Sequence, residues 1–272
     1  MKGPSYGQRV VRRLALPAAM AVLHLRDAEE EAVCEARKAV ASGVDGLFLI
    51  CHGSVDSKRT PLQVLSASFR AIRADLGEAV FLGVNVLQLA ARRPMDLFEW
   101  VRKELPSCDA VWMDNCFANN PRLMQDLHEQ RKGFSGLYFG GVAFKHQDKV
   151  HPNQDEPLLG DECKRALSRA ARAAQPFVDC VITSGVATGD RPSLAKVQAL
   201  YDACSPVLAI SGFGLDIPDG MPNAIHFCAT DVSSICPEHG CRDKCDASFC
   251  HFDEDRLKEW VRKVKHASKN GS

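Results

Sequence analysis

The chain has 272 residues, with 34 Lys and Arg set against 34 Asp and Glu, and 46% of its residues are hydrophobic. That is ordinary globular material, enough to bury a full core in one domain. The balanced charge gives no field that favours nucleic acid or anionic lipid, so a small molecule is the expected partner. No run of about 18 apolar residues is present, so no helix is expected to span a membrane.

In chain order, Met1 to Arg13 holds three arginines and no acid, a composition shared with mitochondrial presequences. Arg12 to Leu25, "RRLALPAAMAVLHL", imitates a signal peptide. It reads better as a buried first strand, because helical residues follow at once. Residues 1–15 are therefore taken as an N-terminal extension, and an intracellular location is expected, cytoplasmic first and organellar second.

From Ala18 a two-part unit repeats: a short apolar run, a polar turn, then an amphipathic stretch. The runs are "AMAVLHL", "VDGLFLICH", "AVFLGVNVL", "DAVWMDNCF", "SGLYFGGVAFKH", "VDCVITSGVA", "SPVLAISGF" and "AIHFCATDV". Helical periodicity predicts helices over Ala28–Ala41, Pro61–Leu76, Pro94–Leu105, Pro121–Arg131, Asp161–Ala174, Ser193–Cys204 and Glu254–Ala267. Pro61, Pro94, Pro121 and Pro192 sit at or just before helix entry, where a missing amide hydrogen costs nothing. Nearly continuous apolar strands are those of a parallel sheet covered on both faces. The pattern predicts an α/β fold, a single (β/α)8 TIM barrel over residues 1–272, ahead of an open doubly wound sheet.

Two units depart. "GLDIPDGMPN" in the seventh leaves no room for a regular helix, and residues 232–252 form a Cys-rich insertion before the last helix. Of the twelve cysteines, Cys34, Cys51, Cys108, Cys116, Cys163, Cys180, Cys204 and Cys228 lie singly in or beside apolar segments. That is no disulfide framework, and a reducing compartment fits it better. Cys236, Cys241, Cys245 and Cys250 lie close together, near His239 and His251. Their spacing approaches a zinc pattern without matching it, so a structural zinc site, disulfides or a redox pair, and unlinked thiols all stay open.

In a barrel of this class the loops leaving the carboxyl ends of the strands build the site. Polar residues gather there: His24, Cys51, His52, Asn85, Asp114, Asn115, Lys145, His146, Thr183, Ser184, Ser211, Thr230 and Asp231. The sixth strand ends "VITSGVATGDRPS", with more glycine and hydroxyl than a turn requires. Lys145 could hold a phosphate or carboxylate, pair with Asp114, or form a Schiff base. His24, His52 and His146 could shuttle protons near neutral pH, and Asp114 is the best single carboxylate base. The loops opening "SGFG" (Ser211, Gly212) and "ATDVSS" (Thr230) suit an anion, unless Asp216 and Asp231 point inward.

"FLGVNVLQL" (Phe81–Leu89), "FGGVAFKH" (Phe139–His146) and "DCVITSGVATGDRPSLAKVQAL" (Asp179–Leu200) resemble the corresponding stretches of the BtpA family. This is a TIM-barrel group named for a cyanobacterial photosystem I biogenesis factor, whose chemistry is poorly defined. The resemblance implies functional candidates at His24, Asn85, Asn115, Lys145, His146 and from Ser184 through Thr188 to Gly189. Two departures stand beside it: "HLRDAEEE" runs straight toward a helix where the family has a glycine-proline-rich loop, and the second strand ends "ICHGSVD" rather than in an acid and an asparagine.

The expected site therefore places Lys145, His146, Asp114 and His24 as catalytic groups. Asn85, Asn115, Thr183, Ser184, Thr188, Gly189, Ser211, Gly212 and Thr230 would bind substrate or phosphate, and the four clustered cysteines are the candidate metal ligands. Three functions follow. The first is an isomerase, lyase or hydrolase acting on a small phosphorylated or nucleotide-like metabolite. The others are a non-catalytic assembly factor on an enzyme scaffold and a zinc or redox sensor. A homo-oligomer is compatible with each.

Overall fold

A computed structural model of the chain describes residues 6–52, 58–145, 147, 149–187, 190–204, 207–229 and 251–267. Eight parallel strands close a barrel in chain order. They are β1 (Ala18–His24), β2 (Gly46–Ile50), β3 (Phe81–Asn85), β4 (Ala110–Met113), β5 (Leu137–Gly141), β6 (Cys180–Thr183), β7 (Leu208–Ser211) and β8 (Ala224–Cys228), with β8 pairing back onto β1. Ala18 to His24, the part of the N-terminal stretch that imitates a signal peptide, is the first barrel strand.

The helices are α1 (Gln8–Val11), α2 (Glu29–Ala41), α3 (Pro61–Leu76), α4 (Leu87–Arg92), α5 (Leu97–Glu104), α6 (Pro121–Gln130), α7 (Asp161–Ala174), α8 (Leu194–Ala203) and α9 (Glu254–His266). Caps explain several of the starts. Thr60 and Gln63 form a reciprocal capping box for α3, while Asn120, Ser193 and Asp253 accept from the first turns of α6, α8 and α9. The helix expected over Pro94–Leu105 begins as a 3-10 turn, Pro94–Asp96, before α5. The short helices α1 and α4 carry too few residues for a periodic signal.

Strand alternation divides the core in two. Val22, Phe48, Trp112, Phe139, Ile182, Ala209 and Phe227 fill the barrel, whereas Leu23, Leu49, Val84, Met113, Val181 and Ile210 pack outward against the helices. The filling is aromatic: Phe48 meets Phe139 at 5.4 Å and Phe227 at 5.1 Å between ring centroids, and Trp112 stands edge-on to Phe227 at 5.4 Å. Seven of the eight scattered cysteines are buried, as their apolar context suggests. Cys34 is a correction, since it lies on an exposed position of α2.

At the amino end of the barrel one device repeats. The aspartate preceding β2, β4 and β6 accepts a hydrogen bond from a backbone amide of the preceding strand. Ala19 N donates to Asp45, Leu82 N to Asp109 and Tyr138 N to Asp179, at 2.7, 2.9 and 2.8 Å. Each carboxylate also meets a cation, Lys265, Arg73 and Arg131 respectively. The strands are thus fastened in pairs.

Among the described residues no helix joins β7 to β8, as the prolines of that segment predict. A groove of about 730 Å³ lies on this flank, bordered by Leu194, Phe213, Leu215, Ile217, Arg262 and His266.

Candidate functional site at the barrel mouth

Period-two alternation along the strands decides which carboxyl-end residues reach the mouth. Val22 and Ile50 face the interior, so His24 and His52 do too; likewise Asn85 follows Gly83, Asp114 follows Trp112, Ser184 follows Ile182, and Ser211 follows Ala209. Register places Asn85 beside both Ile50 and Trp112, and His24 beside Ile50. One polar crescent therefore runs across β1 to β4.

Its contacts are specific. Asn85 Nδ2 donates to Asp114 Oδ1 at 2.8 Å, which fixes the carboxylate over the interior. The chain can make this bend because Gly141, on the adjacent strand, lacks a side chain; a Cβ there would lie 1.7 Å from the Asp114 carbonyl oxygen. The His24 and His52 rings stack at 5.2 Å with planes 5° apart. Burial, the His52 ring and the Lys145 ammonium, in that order, push His24 down to about 3, so its imidazole is neutral at ordinary pH. Burial also pushes Lys145 below the usual lysine range, and Asp114 opposes that shift. Lys145, Asp114 and His24 thus form one electrostatic group at the mouth.

Below them, Trp112 and Phe144 meet edge-on at 5.6 Å and make an aromatic floor. Three enclosed polar atoms in this region, His24 Nδ1, Asn85 Oδ1 and Trp112 Nε1, have no hydrogen-bond partner among the described residues. Asn85 and Trp112 are 1% and 4% exposed, so an unmade bond there is costly and a bound polar group would relieve it. Neither Trp112 nor Phe144 is among the sequence-predicted site residues. The signal was a bulky aromatic at an inward strand position two residues before a carboxylate.

The sixth strand end resolves into separate roles. Thr183 is fully buried on the outward side, and its hydroxyl donates to Ala143 O at 3.4 Å. Ser184 turns inward, accepts from Lys145 N at 3.0 Å and donates to Gly185 O at 3.2 Å. Both hydroxyls thus hold the chain around Lys145. Asn115 likewise serves its own loop, where its Oδ1 accepts from Phe117 N at 2.7 Å beside a cavity of about 150 Å³. Ser211 is partly buried at the β7 end. Gly212 adopts φ 104 and packs on the Asp190 carbonyl, where a Cβ would come within 2.8 Å. Asp216 pairs with Arg191 on the exposed surface and does not point into the mouth. His146, Thr188, Gly189, Thr230, Asp231 and the cysteines Cys236, Cys241, Cys245 and Cys250 lie outside the described residues. Among the described residues no cluster of three or more His, Cys, Asp or Glu could hold a metal ion.

This fold and this mouth place the chain in the class of (β/α)8 TIM barrels. Comparison of structures agrees on the fold. DAHP synthase from Thermotoga maritima (phospho-2-dehydro-3-deoxyheptonate aldolase) superposes with a TM-score of 0.57 at 12% identity, over 93% of this chain and 68% of that one. A truncated form of 3-deoxy-D-arabino-heptulosonate 7-phosphate synthase from the same organism gives 0.56 at 12% identity, over 93% and 86%. The (S)-3-O-geranylgeranylglyceryl phosphate synthase of Thermoplasma acidophilum, in complex with sn-glycerol-1-phosphate, gives 0.54 at 12% identity, over 92% and 93%. No family model matches the sequence, and no curated protein matches it.

Proposed function

We propose that the chain is an enzyme that holds a small phosphorylated metabolite at the carboxyl end of its barrel. The observation that carries this reading is the convergence of Lys145, Asp114 and His24 with the unpartnered atoms of Asn85 and Trp112 at one mouth. A partly buried ammonium gains more from an anion than an exposed one, because low polarity around it strengthens the attraction. In this role Lys145 binds the phosphoryl or a neighbouring carboxylate. Asp114, oriented by Asn85, is the proton acceptor. Neutral His24 exchanges a proton with the substrate without first having to lose one to solvent. A carboxylate base beside a cation and a neutral imidazole suits an isomerase, lyase or hydrolase.

The barrels of similar structure include enzymes named for phosphorylated compounds. At 12% identity this supports a fold that accommodates such ligands, and no particular substrate. The BtpA-like motifs around Asn85, Lys145 and Ser184 fall on the same mouth, which favours that kinship. A second reading, an assembly factor on an enzyme scaffold, is favoured by the groove of about 730 Å³ on the flank that lacks a helix.

A thermal-shift screen of sugar phosphates, nucleotides and inorganic phosphate tests the first reading. At least one phosphorylated ligand is expected to raise the melting temperature of the wild type, and Lys145→Ala is expected to abolish that rise. No stabilisation by any member of the panel contradicts it.

A further inference from the structure

Lys196 stands in the first turn of α8 and is 0% exposed. Physical chemistry opposes a lysine there. Burial disfavours its charge and pushes it below the usual lysine range. The amino end of a helix carries partial positive charge of its own, and an apolar side chain of similar volume fills a buried site at lower cost. The position makes sense through the two groups it holds: Nζ donates to Asp155 Oδ1 at 2.5 Å and to Ala143 O at 3.2 Å.

Both partners belong to the β5–α7 connection that carries Lys145. Ala143 has φ 50, a left-handed bend that residues with a β-carbon rarely adopt. Its carbonyl is held from two sides, by Lys196 and by the Thr183 hydroxyl at 3.4 Å. Two residues on, Lys145 N is held by Ser184. Further along, Asp155 lies 3.6 Å from Lys149 Nζ, and the side chain of Gln154, 3% exposed, accepts from Val150 N at 2.8 Å. The connection is thus closed on itself and fastened to α8 through one buried cation.

We propose that Lys196 is a positioning residue for Lys145. It holds the Ala143 carbonyl in the bend that carries Lys145 over the mouth, and through Asp155 it anchors the far part of the same loop. The proposal rests on the reading of Lys145 as the anion-binding group, but its test needs no ligand. Lys145 faces Asp114 from β4 and His24 from β1, while Lys196 faces Asp155, Lys149 and the Cys163 thiol. A change at Lys196 reaches Lys145 through the backbone.

Competitive acetylation across a pH series, read per lysine by peptide mass spectrometry, follows the free amine of Lys145. In the wild type its midpoint is expected below that of the exposed lysines. In Lys196→Met the midpoint is expected to rise by about one pH unit, a roughly tenfold loss of free amine at a given pH. Asp155→Asn, which preserves volume, is expected to shift it in the same direction by less, and it decides the matter if Lys196→Met does not fold. An unchanged Lys145 midpoint in the folded variants overturns the proposal. A wild type that binds no phosphorylated ligand contradicts the proposed function instead, and leaves this profile as it was.

Discussion

His226 shows how much one side chain can cost and still be kept. It is 2% exposed on the outward side of β8, and neither ring nitrogen finds a partner among the described residues. Burial pushes it down from 6.5 to about 4. The unfolded chain therefore binds a proton between pH 6.5 and 4 that the folded chain refuses, so stability falls as pH drops through that window and levels off below it. The shift corresponds to about 3 kcal/mol for a fully buried group. Denaturant titrations at pH 7 and pH 4.5 are expected to show most of this loss, and His226→Leu is expected to remove the share that His226 contributes. His24 adds a second loss of the same sign that extends lower, to about pH 3. An equal pH dependence in His226→Leu and wild type contradicts the assignment.

At the scale of elements, the paired-strand fastening at the amino end makes a graded prediction. The Asp179–Arg131 pair is almost fully enclosed, each side chain 9% exposed, whereas Lys265 and Asp45 are 36% and 23% exposed. Breaking an enclosed pair leaves an uncompensated charge and costs roughly 3–5 kcal/mol, while an exposed pair is worth about 1 kcal/mol or less. Urea unfolding is expected to rank Asp179→Asn well below Asp45→Asn in stability. Equal losses contradict the ranking. The elements themselves were legible in the sequence, since eight apolar runs and long amphipathic stretches report local periodicity. Pro61–Leu76 and Asp161–Ala174 emerged with their predicted bounds. The aspartate repeat was on view in "VDG", "CDA" and "VDC", but its meaning depends on amides in a different strand. Lys196 hid for a similar reason: a lysine beside Val197 and Leu200 reads as a solvated position until the β5–α7 connection covers it.

At the scale of the whole molecule, closure of the barrel converts distant residues into neighbours. His24 and Lys145 are separated by most of the first five units, yet the Lys145 ammonium helps to push His24 down. The sequence could name the strand-end residues, because carboxyl ends of parallel strands share one rim. It could not apportion their duties: Thr183, Ser184 and Asn115 spend their hydrogen bonds on the backbone, while Trp112, one residue of an apolar run, brings an unpartnered donor to the site. The flank between β7 and β8 shows the opposite case, where two prolines and a short span were enough to foretell a missing helix.

An anion site at the mouth underlies every role proposed for these residues. A crystal of the wild type soaked in inorganic phosphate tests this most directly. The expected result is a phosphate within hydrogen-bond distance of Lys145 Nζ, roughly 3 Å, above the floor of Trp112 and Phe144, and its loss in a Lys145→Ala crystal soaked alongside. A mouth without phosphate at concentrations that fill other surface sites, or one that retains it in Lys145→Ala, contradicts the account.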